Sequence, residues 1–228
     1  MCNHYDPADD PQEMEFAIQT TLQRLGIVPP DYFPGLEAYP KRQAPIIRKR
    51  PEGFFFEPLR WGITVTIQGR TNYVTNARND KLLKGYPWRY SLRERRCLIP
   101  ARGYFEPGTG PVGARGEILF TLKDRPWFFI AGLWDTDPGE NGAHAFTMVT
   151  TEPNGLAARF HDRMPLVLSD ADAKLWLGDQ PLPAEEVTRL CQPPPEDIMQ
   201  HVEIAAKPKE KAPKKIAKDD LFGGELLL

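Results

Sequence analysis

Residues 127–134, WFFIAGLW, and residues 144–151, HAFTMVTT, are short runs of aromatic, aliphatic and β-branched side chains, the kind that form buried β-strands. Similar runs lie between residues 54 and 168: FFFE, WGITVTI, RRCLIP, GYFE, EILFTL and MPLVL. Glycine or proline separates them, and 24 of the 228 residues are proline, which interrupts long helices. The pattern predicts an α+β domain with a mainly antiparallel, curved or barrel-like sheet.

A few short helices are predicted around this sheet. Asp10 can cap the first, Gly26 ends it, and its apolar stripe marks it as a packing helix. Three more are predicted at residues 79–84, 169–177 and 184–191. We expect the folded domain to span residues 1–206. Residues 207–228 should form a flexible Lys/Pro-rich tail ending in the apolar LFGGELLL, through which a replication-fork partner could bind.

The formal net charge of −2 hides a strong segregation of charge. Residues 40–102 carry fifteen basic and four acidic side chains, and the flanking segments are acidic. Aromatic residues are interleaved with the basic ones, a composition typical of nucleic-acid surfaces. A solvated basic face, neutralised by the acidic flanks in the folded protein, explains the same numbers, and charge alone does not decide between the two.

Other features of the sequence exclude several classes of protein. No apolar run approaches the ~20 residues of a membrane span, and the N-terminus lacks the features of a secretion signal. We therefore expect a soluble, cytoplasmic protein that works as a monomer, associated with the nucleoid if bacterial. The cysteines Cys2, Cys97 and Cys191 are widely spaced and odd in number, so neither a disulfide framework nor a zinc site is expected. No cofactor or metal is expected.

Cys2 is the first candidate for chemistry because of its position. Removal of Met1 would give it a free α-amine beside its thiol. The amine has a reference pKa of ~7.7–8.0, so part of it is unprotonated near neutrality. An amine forms a Schiff base with an aldehyde, and the neighbouring thiol can then close on the imine carbon to form a thiazolidine. Cys2 is therefore a candidate aldehyde-trapping nucleophile.

An ordered set of motifs follows Cys2. It comprises RWG at 60–62, NAR at 76–78, RRCLIPARGYFEP at 95–107, AGLW at 131–134, TTEPN at 150–154 and HDRMPLVL at 161–168. Together with MC at the start, this set resembles the SRAP family of abasic-site-processing proteins, also called SOS-response-associated peptidases. The resemblance extends from Met1 to about Leu177.

The resemblance implies a catalytic site of four residues. Cys2 matches the nucleophile that crosslinks to the aldehyde of an abasic site, and Asn76 matches the amide that holds the linkage. Glu106 matches a carboxylate beside the Cys2 amine, and His161 matches the imidazole that moves protons on the sugar oxygen. These roles suit the residue types, since histidine and a partly buried glutamate serve as general acid–base groups.

The same resemblance implies contacts with DNA. Arg78 and Arg163 match arginines that hold phosphates, Trp61 an aromatic on which a base stacks, and Pro40 a proline that wedges the strands apart. Five more basic residues are weaker candidates for phosphate contacts: Lys41, Arg42, Arg48, Lys49 and Arg50.

This sequence departs from the family pattern at three places, one of which is the stretch ITVTIQGR at 63–70, where the family usually has a LIP and tryptophan pattern. His4 stands where the family usually has arginine, which should weaken one DNA contact or make it depend on pH. Pro107 replaces an aromatic residue after Glu106. These changes leave the four catalytic residues in place and alter the expected affinity and sequence context.

The expected function is therefore capture of abasic sites in single-stranded DNA through a stable, reversible thiazolidine crosslink at Cys2, with weak lyase activity. The crosslink would shield the lesion during DNA repair. Two alternatives stay open. The first is a cysteine peptidase or hydrolase that uses Cys2 with His161 and Glu106, as the family's older name implies. The second is a non-catalytic module that binds single-stranded DNA.

Overall fold

A computed structural model describes residues 3–6, 20, 23, 38–51, 53–109 and 115–205 of the chain. Fourteen strands occur within these ranges. They are β1 (Tyr5–Asp6), β2 (Gln43–Arg50), β3 (Gly53–Trp61), β4 (Ile63–Ile67), β5 (Arg70–Val74), β6 (Asn76–Arg78), β7 (Arg96–Ala101), β8 (Gly103–Thr109), β9 (Arg115–Leu122), β10 (Phe128–Asp137), β11 (Ala143–Thr151), β12 (Met164–Pro165), β13 (Val167–Leu168) and β14 (Met199–Ala205).

The helices of the described ranges are short. They are α1 (Asn79–Leu82), α2 (Trp88–Glu94), α3 (Asp170–Trp176) and α4 (Ala184–Leu190), with 3-10 turns at Pro138–Glu140, Ala157–Arg159 and Glu196–Ile198. Three of the predicted helices are confirmed as α1, α3 and α4, whereas α2 was not predicted. The N-terminal helix predicted at 10–26 falls outside the described residues, apart from helical Thr20 and Gln23, and the predicted tail also falls outside them. None of the described helices is long and apolar enough to cross a membrane.

Five strands close into a barrel. The order β11–β3–β2–β7–β10 returns to β11, because β10 also pairs with β11. Every pairing in this ring is antiparallel except β3 with β11, where Ala145 faces Arg60 and Phe146 faces Trp61 in parallel register. The α+β fold with a mainly antiparallel, barrel-like sheet is thereby confirmed.

Strand β11 extends beyond the barrel and carries two further strands. Its residue Met148 pairs in parallel with Asn76 at the start of β6, and Thr151 pairs with Met164 of β12. Because β6 and β12 both pair with Thr150, they occupy opposite edges of β11. This end of β11 therefore brings together the NAR and HDRMP motifs, which are 85 positions apart by residue number (76 and 161).

A second, four-stranded sheet covers one side of the barrel, in the order β1–β8–β9–β14. A continuous cluster of buried apolar side chains joins this sheet to the barrel. Its largest members include Tyr5, Trp61, Tyr104, Phe120, Phe128 and Phe146, each at most 1% exposed. Burial of aromatic side chains of this size stabilises the contact by about 1.5–3 kcal/mol each. The two-residue strand β1 is therefore held by packing as well as by its pairing with β8.

Arg96, at the start of β7, is a buried cation that joins two helices to the barrel. It is 6% exposed, and burial lowers the pKa of its guanidinium. The last carbonyls of a helix have no partner within the helix, and here the guanidinium supplies one. It donates hydrogen bonds to five carbonyl oxygens: those of Leu92 (2.7 Å), Arg93 (3.0 Å), Trp176 (2.5 Å), Gly178 and Gln180 (3.0 Å).

We predict that Arg96→Met destabilises the protein by about 3–5 kcal/mol, because it leaves several buried carbonyls without a donor. Urea unfolding followed by circular dichroism measures this loss. The control is Arg93→Met, the same change at a side chain that is 67% exposed and pairs only with Glu94 on the surface. It should change the free energy of unfolding by about 0.5 kcal/mol or less. Equal losses in the two variants would contradict the role given to Arg96.

Candidate active site

The first described residues of the chain lie at one edge of the small sheet. Tyr5 pairs with Tyr104, and the backbone N–H of Phe105 donates to the carbonyl of His4 at 2.9 Å. Continued by two residues, this antiparallel register sets Asn3 level with Glu106. Cys2 itself lies outside the described residues. The register of β1 against β8 shows which side chains lie near Asn3, the residue that follows Cys2.

Glu106 is a carboxyl group inside the protein. It is 2% exposed, and its burial raises its pKa to about 7, with a further contribution from the negative charge of Asp162. Burial in a low-dielectric environment disfavours the charged carboxylate, which explains the direction of the shift. A carboxyl group with a pKa near neutrality can both accept and release a proton at physiological pH.

Asn76 is connected to Asn3 through one hydroxyl group. The Asn76 Nδ2 donates to Oγ1 of Thr75 at 3.1 Å, and that hydroxyl donates to Oδ1 of Asn3 at 3.4 Å. The parallel pairing of β6 with β11 buries Asn76, which is 8% exposed. The amide of Asn76 is therefore held beside the start of the chain without carrying a charge.

His161 lies in the loop between the 3-10 turn at Ala157–Arg159 and β12. The backbone N–H of Arg163 lies 3.0 Å from Nδ1 of His161, and the carbonyl oxygen of Arg163 lies 3.2 Å from the same atom, so Nδ1 has a backbone partner in either tautomer of the ring. Oδ1 of Asp162 lies 3.0 Å from the same Nδ1 and can accept a hydrogen bond from the charged ring. Nδ1 of the imidazole is therefore held in place by the loop that follows it.

These contacts bring two of the predicted catalytic residues, Asn76 and Glu106, beside Asn3, and a charge next to His161 acts on Glu106. Asn76 reaches Asn3 through Thr75, and Glu106 is level with Asn3 in the sheet. The charge of Asp162, next to His161, acts on Glu106. Prediction from sequence missed Thr75 and Asp162, although each directly adjoins a motif residue.

Two of the predicted DNA contacts are wrong. Trp61 is fully buried, and its indole Nε1 donates to the Thr75 carbonyl at 2.8 Å, so neither face of the ring can stack on a base. Arg163 is 6% exposed and is occupied within the protein. Its guanidinium donates to Glu152 (2.8 Å), Asn79 (2.6 Å) and the Thr150 carbonyl (2.6 Å). Arg163 therefore ties the His161 loop to β11 and is not available to a phosphate.

The other two predicted DNA residues lie at the surface. The Arg78 side chain is 52% exposed and pairs with Asp80 at 2.9 Å. Pro40 belongs to a turn in which the N–H of Arg42 donates to the carbonyl of Tyr39 at 3.1 Å. Lys41 in this turn has a φ of 69°, and proline followed by a positive φ is the pattern of a type II turn. Both sites remain accessible to a ligand.

The basic run of residues 40–102 is partly neutralised. Arg60 contacts Asp137, Arg95 contacts Asp135, and Glu57 pairs with both Arg48 at 2.6 Å and Arg50 at 2.5 Å. Arg48 is only 3% exposed, so a phosphate contact there is wrong as well. Other basic residues of the run keep exposed side chains: Lys41, Arg42, Arg70, Lys84 and Arg89. Each of the two interpretations of the charge therefore holds for part of the run.

His4 does not replace the expected arginine as a surface contact. Its ring lies between those of Tyr39 and Phe105, at centroid distances of 4.3 and 3.9 Å, and Nδ1 is 3.2 Å from Oε1 of Glu117. The residue is 8% exposed. His4 therefore packs within the small sheet instead of facing a ligand, and the weakened DNA contact expected at this position stays a prediction.

The fold and the site together define an α+β barrel protein whose acid–base side chains surround its own N-terminal segment. The chain belongs to the SOS response associated peptidase (SRAP) family, whose model matches residues 1–208.

Relatives with names and solved structures agree with this assignment. Abasic site processing protein YoqW of Bacillus subtilis is 31% identical over 167 residues, which cover 69% of this chain and 74% of YoqW. Abasic site processing protein YobE of the same organism is 29% identical over 154 residues, covering 65% and 70% of the two chains. A crystal structure of a protein from Bordetella bronchiseptica has the same fold, with a TM-score of 0.68 at 23% identity over 90% of this chain and all of that one.

We predict that Glu106 makes the protein less stable as the pH rises. The pKa of Glu106 is raised from 4.5 to about 7 on folding, so the folded state keeps a proton that the unfolded state releases. Stability should therefore fall by ~3 kcal/mol between about pH 4.5 and pH 7 and change little above it through this group. Glu106→Gln should abolish this loss. Urea unfolding of both proteins at several pH values measures it.

The control for this measurement is Glu203→Gln, which changes an exposed glutamate on β14. It should leave the pH dependence of stability as in the unmodified protein. Parallel stability curves for the unmodified protein and Glu106→Gln would contradict the assignment to Glu106.

Proposed function

We propose that this protein captures abasic sites in single-stranded DNA by a covalent thiazolidine link to Cys2. The family membership and the names of the relatives support abasic-site processing. The observation that carries the proposal is the buried Glu106, with its pKa near 7, level with Asn3. Because Cys2 is bonded to Asn3, their Cα atoms are about 3.8 Å apart, which keeps the Cys2 amine and thiol in the neighbourhood of this carboxyl.

The other two cysteines are unsuited to nucleophilic chemistry. Cys97 is fully buried, and its pKa is raised by that burial. Cys191 is 5% exposed, and burial raises its pKa to about 12. A thiolate is the reactive form, and both sites disfavour it. This leaves Cys2 as the thiol through which a covalent link could form.

The proposed reaction needs no oxidant or reductant. After Met1 is removed, the α-amine nitrogen of Cys2 adds to the C1′ aldehyde carbon of the open abasic sugar, and loss of water forms an imine. The thiol then adds across the C=N bond, with sulfur bonding to C1′ and the thiol proton ending on nitrogen. Water is the only product released. Reversal of the same steps would free the DNA.

Glu106 and His161 are proposed to move the protons in these steps. In its protonated form, His161 can donate a proton to the ring oxygen of the closed sugar, while the C1′ hydroxyl loses its proton to water and the ring opens. As a carboxylate, Glu106 can take a proton from the Cys2 ammonium, which frees the amine to attack, and return that proton to the hydroxyl that leaves as water. Asn76 would hold the linkage with its neutral amide. Each transfer of this kind typically contributes about 10²–10⁴ in rate.

DNA is proposed to reach the site past Arg78 and the turn at 39–42. Arg78 offers an exposed guanidinium to a phosphate next to the lesion. The turn presents Pro40, with exposed Lys41 and Arg42, as a rigid projection that could separate the strands beside the lesion. The buried Trp61 and Arg163 take no part in this proposal.

The first test uses a labelled single-stranded oligonucleotide with one abasic site, mixed with protein from which Met1 removal has been verified by mass spectrometry. A denaturing gel should show a band retarded by about the mass of the protein. Cys2→Ala should abolish it. Cys2→Ser keeps the amine but cannot close the thiazolidine, so it should yield a band only after borohydride reduction of the imine. Absence of the band in the unmodified protein would overturn the proposal.

Extension of the N-terminus separates this function from the two alternatives. An added residue before Cys2 blocks the amine, so crosslinking should stop, whereas a cysteine peptidase acting through the thiol would retain peptide cleavage. A non-catalytic binding module would bind the oligonucleotide equally well with Cys2→Ala and would form no covalent product with either protein.

We predict different effects for the two arginines of the NAR and HDRMP motifs. Arg78→Gln should weaken binding to an abasic oligonucleotide because one phosphate contact is lost. The slope of log K against the logarithm of the salt concentration should become shallower by about one. Arg163→Gln should instead lower the free energy of unfolding by about 2–4 kcal/mol, since the buried Thr150 carbonyl loses a charged donor. Fluorescence anisotropy at several salt concentrations and urea unfolding measure the two effects. An unchanged salt dependence in Arg78→Gln would remove that arginine from the proposed interface.

A further inference from the structure

Two cavities of opposite chemistry lie side by side around α3, and neither is lined by Asn76, Glu106 or His161. An apolar groove of about 470 Å³ runs between α3 and α4. A basic pocket of about 410 Å³ lies between β2 and the ends of α2 and α3. Gly178 and Asp179 line both, so a single extended segment could occupy the two cavities together.

The groove exposes apolar side chains that the fold leaves uncovered. Leu175 on α3 is 39% exposed, and Leu182 is half-buried at the opposite wall, with exposed Pro181 and Pro183 beside it. α3 turns its other face to the core, where Ala173 and Trp176 are fully buried. The exposed apolar face of α3 is therefore additional to the one its own packing requires.

The pocket next to the groove carries cations whose pairing is weak. Lys49 contacts Asp179, Arg50 pairs with Glu57 at 2.5 Å, and Arg93 pairs with Glu94 at 2.8 Å. The Lys49, Arg50 and Arg93 side chains are 35%, 41% and 67% exposed. Exposed pairs of this kind are worth about 0–1 kcal/mol, and a guanidinium has five donors, so a further carboxylate can bind without displacing the first.

Residues 219–228, DDLFGGELLL, carry the matching chemistry. Leu221, Phe222 and three further leucines can fill an apolar groove, while Asp219, Asp220 and Glu225 suit a basic pocket. The preceding residues 207–218 contain six lysines and one glutamate, opposite in charge to the acidic residues Asp170, Asp172, Glu185 and Glu186 on α3 and α4. Polar and apolar features alternate along the segment as they do along the surface.

The chain is long enough for this contact to form within one molecule. Thirteen residues, 206–218, separate the end of β14 at Ala205 from Asp219. Extended, they span up to about 45 Å. A compact domain of about 200 residues has a radius of gyration near 17 Å and a diameter of about 45 Å. Because the chain must run around the domain, where half the circumference is about 70 Å, a span of about 45 Å lets the segment reach roughly two-thirds of the surface from Ala205.

We propose that residues 219–228 bind in cis to the groove between α3 and α4, with their acidic side chains in the basic pocket. This assigns a peptide-binding site to a part of the protein that the proposed chemistry at Cys2 does not use. The ligand class is an extended peptide that combines acidic and bulky apolar residues.

Hydroxyl-radical footprinting of the full chain tests the proposal, with mass spectrometry as the readout. Phe222→Ser combined with Leu226→Ser should raise labelling of Leu175 at least about threefold, because labelling follows accessible area and docking covers this residue. The control is Ile216→Ser, an apolar-to-polar change in the intervening segment, which should leave labelling of Leu175 unchanged. Circular dichroism verifies that each variant is folded.

A change in the groove should have the reciprocal effect on the segment. Leu175→Asp should raise the labelling of Phe222 to a similar extent, and Ala171→Asp should act in the same direction. Labelling of Leu175 in the unmodified protein should not vary across a hundredfold range of protein concentration, because a tethered segment has an effective concentration of about a millimolar. Labelling of Leu175 that falls as the protein concentration rises would overturn the cis contact in favour of a second copy. Unchanged labelling of Leu175 in the Phe222 and Leu226 variant would overturn the docking itself.

Discussion

Hydrogen-bond pairing along both edges of β11 is the constraint on which the rest of the structure depends. One edge pairs with β10 and then β12, and the other pairs with β3 and then β6. The neighbours β10 and β3 close the barrel. The neighbours β6 and β12 carry Asn76 and follow the loop of His161, respectively. Closure leaves the barrel without free edges, so the positions of these two motifs relative to each other follow from the register of a single strand.

The candidate site combines this rigid support with an unfavourable electrostatic environment. Glu106 lies in the small sheet at 2% exposure, where a carboxylate is poorly solvated. That burial brings its pKa to about 7, close to the value that serves proton transfer best at neutral pH. The same burial reduces the stability of the folded protein at higher pH. The apolar packing between the two sheets offsets this penalty.

Local pattern was sufficient to predict most of the elements, and the positions of Asn76, Glu106 and His161 followed from ordered motifs. The failures at Trp61 and Arg163 share one cause. Both side chains have hydrogen-bond partners elsewhere in the chain, and aromatic or basic character alone does not reveal whether such a partner exists.

Local sequence pattern contributed to two errors. The two-residue periodicity of a strand could not show which face of β3 points inward at Trp61, because a one-residue shift moves every side chain to the opposite face. Helix α2 was missed because Tyr86 and Pro87 precede it and indicate a turn, although Trp88 and Leu92 have helical spacing. The pKa of Glu106 depends on burial by residues from both sheets, which no local pattern records.

The pairing of β1 with β8 joins the first residues of the chain to residues about a hundred positions later. During synthesis at about 5–20 residues per second, the N-terminal segment leaves the ribosome at least 5 s before its partner strand exists. Asn76 and His161 are also made later, so a nascent chain exposes its N-terminus without the groups that surround it in the finished protein. The long sequence separation of these pairings therefore delays assembly of the site until almost the whole barrel has been translated.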